Sequence, residues 1–114
     1  MKIHLVDRNG RLTLADRDLA ERRLLFALAR FDPKIVRVTC TMEEFDGTRE
    51  EVGIACRIAV LLRGTNDVVI HEQAANLEGC VSRAAERAGR AVARSIDRAC
   101  FTARTGVGSF WSRI

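Results

Sequence analysis

Residues 82–99 read SRAAERAGRAVARSIDRA, and within them Arg83, Arg87, Arg90, Arg94 and Arg98 follow one another at steps of four, three, four and four. A guanidinium is planar and permanently charged, and its fork of N–H donors matches two oxygens of a phosphate at once. At about 100° per residue on an α-helix, the five fall within an arc of about 80° and form a stripe about 20 Å long. That length matches several phosphates of a nucleic-acid backbone. Glu86 stands three and four residues from Arg83 and Arg90, and Asp97 three residues from Arg94, so both acids are expected to neutralise part of the row. All five positions are arginine and none is lysine, which favours phosphate recognition over a merely solvated face.

Other chemistry finds less support. His4 and His71 fall on expected strands, outside any nucleophile–base motif, and read as residues of a solvated sheet face. Cys40, Cys56, Cys80 and Cys100 are widely spaced, without a CxxC pair or a neighbouring histidine pattern, so no metal site is expected. The first three sit among apolar residues and read as buried free thiols. An enzyme built on Cys56 or Cys80 would need a reactive thiol of low pKa. GTND and GVGS lack the lysine of a phosphate-cradling loop, and the acidic stretch at 43–51 lacks calcium-loop spacing. No enzyme, cofactor or small-molecule substrate is expected. Aromatic residues are 5% of the chain and tyrosine is missing, so stacking of bases across a sheet is poorly supported. Shape and phosphate recognition of folded RNA remains.

Charge agrees with a polyanionic partner. The net charge is +4 and the pI about 9.3. The stretch MEEFDGTREE (42–51) carries −4, which leaves +8 on the remaining residues. With 47% hydrophobic and 30% charged residues, the composition is that of a globular domain with a core. No apolar run suffices to span a bilayer, and MKIHLVDRNG lacks the apolar core of a signal peptide, so a cytoplasmic protein without membrane partners is expected.

The elements that must carry the arginines follow from periodicity. KIHLVD (2–7) alternates as a strand, and DRNGR is a turn. Thr13 and Asp16 form a capping-box pattern ahead of a helix expected to run to about Arg30, with Pro33 marking its end. The second half of that helix, LLFALARF, is apolar almost all round, so its core face cannot be assigned. KIVRVTCTM (34–42), EEVGIACRIAVLL (50–62) and VVIHEQA (68–74) alternate as three further strands, with turns at FDGT and RGTND. Asn76 is the expected N-cap of the arginine helix. Its other face holds Leu77, Val81, Ala84, Ala85, Ala88, Val92, Ile96 and Ala99, and Gly89 is expected to permit close packing. The long helical first connection implies parallel strands one and two; the short later ones imply an antiparallel meander. The fold expected is α+β, a two-layer β-α-β-β-β-α sandwich whose four-stranded sheet carries both helices on one face. One domain over 1–102 and a short tail over 103–114 are expected.

The element order, the opening MKIHLVDRNGRLTLADRDLAERRL, the segment ARFDPKIVRVTCTME and the basic last helix resemble the ribosome hibernation-promoting factor family over roughly residues 1–100. That family includes ribosome-associated inhibitors and sigma-factor modulation proteins. The resemblance implies a fold similar to double-stranded-RNA-binding domains. It implies a non-enzymatic protein that binds rRNA of the small ribosomal subunit, in the channel that holds mRNA and tRNA anticodons. There it would block translation and protect idle ribosomes in stationary phase or stress. RNA contact would fall to Arg83, Arg87, Arg90, Arg94 and Arg98, with Arg22 and Arg23 on the first helix as lesser candidates. The chain would be a short form of the family. It departs from the usual D-M-Y-A-A-I-D start of the last helix, reading NLEGCVSRAAE instead, and its 42–51 loop is unusually acidic. The alternative is a divergent paralogue acting on proteins. It would use the small-residue sheet face at Gly53, Ala55 and Ala59, or the aromatic tail at Phe110 and Trp111, for docking or self-association.

Overall fold

The first strand, β1 (Lys2–Asp7), stops at an aspartate that organises the turn after it. One carboxylate oxygen of Asp7 accepts from the N–H groups of Asn9 (3.3 Å) and Gly10 (3.0 Å), and the other from that of Leu12 (2.8 Å). Helix α1 (Leu14–Leu28) then begins on the expected capping box. The Thr13 hydroxyl accepts from the Asp16 N–H at 3.1 Å, and the Asp16 carboxylate accepts from the Thr13 N–H at 3.0 Å. The computed structural model describes residues 1–10, 12–46 and 52–105, the side chains of 46, 52 and 100–105 excepted. The expected turn at 45–48, the Cys100 thiol, and Phe110 and Trp111 of the expected tail thus fall wholly or partly outside the described residues.

The remaining elements are β2 (Ile35–Asp46), β3 (Val52–Leu62), β4 (Val68–Ala74) and α2 (Leu77–Thr105). They form a single mixed sheet in the order β1-β2-β3-β4. β1 and β2 are parallel, and β2, β3 and β4 form the antiparallel meander. Both helices pack together on one face, α2 against β3 and β4. This is the expected two-layer α+β architecture. No helix among the described residues is long and apolar enough to cross a membrane.

Two boundaries differ from expectation. α1 ends at Leu28, and Pro33 lies inside a 3-10 turn over Ala29–Lys34 rather than at a helix end. Proline carries no N–H, and the turn closes beyond it through the Ile35 N–H, which donates to the Asp32 carbonyl. β2 runs to Asp46 instead of Met42, so the first half of the acidic stretch is strand and not loop. Glu43 and Glu44 pair in register with Ala55 and Ile54 of the long apolar β3, whose ladder draws them into the sheet. The backbone gains hydrogen bonds there whatever the side chains carry.

Alternation decides the two faces of the sheet. Val38, Cys40 and Met42 of β2 and Ile54, Cys56, Ile58 and Val60 of β3 are buried beneath the helices. From α1 the stripe Ala20, Leu24 and Leu28 joins them, which settles the ambiguous run LLFALARF: Leu24 and Leu28 point in, and Phe26 points out. From α2 the buried face is Cys80, Val81, Ala84, Ala85, Ala88 and Val92. On the opposite sheet face Gly53 is not bare. A Cβ there would lie 2.5 Å from the Phe45 ring, so the ring covers it. The small-residue face expected around Gly53, Ala55 and Ala59 is therefore partly roofed by its own neighbouring strand.

Gly89 makes the contact between the helices. A Cβ at this position would stand 3.1 Å from the Ala27 carbonyl oxygen, so α1 and α2 touch backbone to backbone. Gly89→Val is expected to force them apart. Urea denaturation should show a loss of about 1–3 kcal/mol, typical of overpacking. An unchanged midpoint would show that the helices can slide without cost.

Candidate nucleic-acid interface

α2 starts where Asn76 caps it, its Oδ1 accepting from the Gly79 N–H at 2.7 Å. With the alanine and valine face buried, the helix turns the opposite face outward, and Arg83, Arg87, Arg90, Arg94 and Arg98 are all exposed. The row exists in three dimensions as the spacing implied. Its members nevertheless differ in what they touch.

Among the described residues β4 is an outer strand, paired with β3 alone. Such a strand leaves every second backbone carbonyl without a ladder partner. Arg87 and Arg83 reach two of these, on residues two apart. Arg87 Nη1 donates to the His71 carbonyl at 2.7 Å and to Glu72 Oε2 at 3.0 Å. Arg83 Nη2 donates to the Gln73 carbonyl at 3.4 Å, and its Nε to the Gly79 carbonyl at 3.5 Å. The first two arginines of the row therefore lie along the sheet edge.

Further along, Arg90 makes one long exposed pair with Glu86 at 3.6 Å. Arg94 and Arg98 make no hydrogen bond or ion pair with any described residue, and the expected pairing of Asp97 with Arg94 does not form. Both free arginines line a groove of about 670 Å³ between the second half of α2 and the β3–β4 turn, with Thr65, Asn66, Val69 and Ser95. The turn is tied to the helix there: the Ser95 hydroxyl lies 3.1 Å from that of Thr65 and donates to the Asn66 carbonyl at 3.5 Å. Arg22 and Arg23 sit apart on α1. Arg22 pairs with Asp18 at 3.1 Å, and Arg23 reaches Glu78 at the start of α2 at 3.4 Å. Exposed pairs of this kind are worth little and exchange readily for another anion.

Sequence reasoning missed Glu72. Its alternation on β4 puts it on the helix side of the sheet, and that parity was the available signal. Arg87 holds the Glu72 carboxyl below the usual value of 4.5, chiefly through their hydrogen bond. Ser95 was also missed. It is a lone polar residue on the buried side of α2, where a partner is required.

The cysteines form a core cluster. Cys40, Cys56 and Cys80 are free and buried. The sulfurs of Cys40 and Cys56 lie 3.4 Å apart, and the Cys80 thiol donates to the Ile54 carbonyl at 3.4 Å. The Cys56 thiol is pushed well up, first by its hydrogen bond with Cys40 and then by burial; Cys80 is pushed up by its hydrogen bond with Cys56 and by burial. Neither is the activated thiolate that nucleophilic chemistry needs. His4 and His71 are exposed, as expected. His71 pairs in register with Arg57, whereas Cys56 faces the core opposite Glu72, so the topology does not assemble a His–Cys pair.

Two proteins are among the solved structures similar in fold to the chain. One is a ribosomal subunit interface protein from Coxiella burnetii, at 13% identity and a TM-score of 0.66, over 82% of this chain and 96% of that one. The other is the N-terminal domain of Protein Y from Thermus thermophilus, at 28% identity and a TM-score of 0.60, over 82% of this chain and 98% of that one. No protein-family model and no curated protein matches the chain.

The Arg87–Glu72 pair makes stability depend on acid. A carboxyl held below its usual value stabilises the fold fully above pH 4.5, and the gain disappears as pH falls through the lowered value. Wild type should therefore exceed Glu72→Gln in urea resistance at about pH 7, and the margin should shrink steadily as pH falls below 4.5. Thiol labelling tests the core cluster. In a Cys100→Ser background, Cys40, Cys56 and Cys80 should stay unlabelled until denaturant is added; rapid reaction of native protein would show an open core.

Proposed function

We propose that this chain belongs to the ribosome hibernation-promoting factor family. It would act as a non-enzymatic RNA-binding module on the small ribosomal subunit. Three things support the reading: the resemblance of its first hundred or so residues, a fold shared with a ribosomal subunit interface protein and the Protein Y N-terminal domain, and a basic helix face. The observation that carries the mechanism is the pair of unpartnered guanidiniums, Arg94 and Arg98, beside a groove at one end of that face.

In this reading the domain is a plug. The sheet and α1 hold α2 rigid, and the helix lays its arginines along rRNA phosphates in the channel that takes mRNA and tRNA anticodons. Occupancy excludes both ligands, and translation stops without any chemical step. Arg90, Arg94 and Arg98 grip most strongly, because they give up little to do so. Arg83 and Arg87 would have to abandon carbonyls of β4, so each contributes less to RNA than its place in the row suggests. Arg22 and Arg23 are secondary contacts on α1. Activity of this kind fits a cytoplasmic protein that silences ribosomes under stress or in stationary phase.

Co-sedimentation with vacant ribosomes tests the reading. Wild type should travel with the ribosome, and its affinity should fall steeply with salt. Arg94→Ala and Arg98→Ala should each weaken binding about tenfold or more, given about 1.5–3 kcal/mol for a charge-assisted hydrogen bond. Each should also reduce the log–log salt slope by about one. Arg83→Ala should weaken binding less and instead lower stability. Wild type left at the top of the gradient at low salt would remove the ribosome from the reading.

A further inference from the structure

A second groove lies between the helices, on the side of the molecule that the edge strand does not reach. It encloses about 550 Å³ and is lined by Arg23, Phe26, Ala27 and Arg30 of α1 and its 3-10 extension, and by Ala85, Gly89 and Arg90 of α2, among others. Its floor is made of small residues because the two backbones meet at Gly89 and Ala27. Its rim holds an aromatic ring with almost no cover. Phe26 is 91% exposed, the most exposed large apolar residue among those described.

A lone exposed phenylalanine needs no explanation by itself. This one shares a groove with three guanidiniums and one carboxylate, that of Glu86. None of the three is held firmly. Arg23 reaches Glu78 at 3.4 Å, Arg90 reaches Glu86 at 3.6 Å, and Arg30 lies over the Phe31 ring at 4.6 Å from its centroid. An aromatic face among loosely paired cations is the combination that receives an unstacked base with its phosphate. A protein helix seated here would need carboxylates to answer the arginines, and a hydrophobic partner would bury their charge uncompensated.

We propose that the groove between α1 and α2 takes one unstacked nucleotide of an RNA single strand, its base on the Phe26 ring and its phosphate among Arg23, Arg30 and Arg90. The site adds a stacking contact to the phosphate contacts of the row, and Arg90 stands at the junction of the two. The proposal rests on the RNA-binding reading above but needs no ribosome.

The test is fluorescence anisotropy of a labelled single-stranded RNA octamer with the full chain at low salt. Phe26→Ala should weaken binding about fivefold to a hundredfold. Phe26→Tyr should restore it, and Phe26→Leu, which keeps apolar bulk but not the ring face, should not. Exposure of the residue means that all three variants should unfold at the wild-type midpoint. Equal octamer affinity for wild type and Phe26→Ala overturns the proposal, and so does a wild type that does not bind the octamer. A concentration-dependent dimer abolished by Phe26→Ala would give the groove to a second copy of the chain and overturn it equally. Ribosome co-sedimentation of the same variants separates the two readings. An octamer effect at Phe26 without ribosome binding keeps the groove and removes the ribosome; ribosome binding with no octamer effect does the reverse.

Discussion

The alanine face of α2 has to lie flat on the sheet. Ala84, Ala85 and Ala88 have no side chain long enough to hold the helix away from β3 and β4, and Gly89 lets α1 close in from the side. That seating fixes the height of the arginine row above the edge strand. A helix faced with leucine would ride higher, and guanidiniums on its outer side would stand further from the backbone of β4. Here they reach it, and Arg87 meets the His71 carbonyl at 2.7 Å.

From that contact comes the division of labour within the row. An outer strand with unpaired carbonyls invites a second chain to add to it, and arginines laid along those carbonyls blunt the edge. Arg83 and Arg87 are spent on the fold in this sense. The helix and β4 run past each other, so the later arginines pass the β3–β4 turn rather than the middle of the strand. Arg94 and Arg98 meet a groove there, whose two walls are joined by the Ser95–Thr65 contact. One regular sequence pattern thus yields two physical roles, set by what lies opposite each turn of the helix.

Much was legible in advance. Alternation located four strands, and the capping residues Thr13 and Asn76 located both helix starts within the precision that hydrogen bonds require. The amphipathic split of α2 told which side would be buried. LLFALARF resisted because periodicity cannot choose a face when nearly every position is apolar; only the sheet beneath, taking Leu24 and Leu28, left Phe26 outside. The length of β2 resisted because acidic side chains argue for a loop, whereas the ladder offered by β3 outweighs them.

The sequence by itself determined the element order, the buried and charged faces of α2, and the existence of an arginine stripe. These depend on the repeat of one element and on local hydrogen bonds, both written along the chain. The tertiary structure alone decided which arginines are free, that Glu72 partners Arg87, that three distant cysteines share one core, and that Phe26 stands beside three guanidiniums. Each of these is a distance between residues far apart in the chain. Such distances are set by how closely layers of side chains can pack, which no local pattern records.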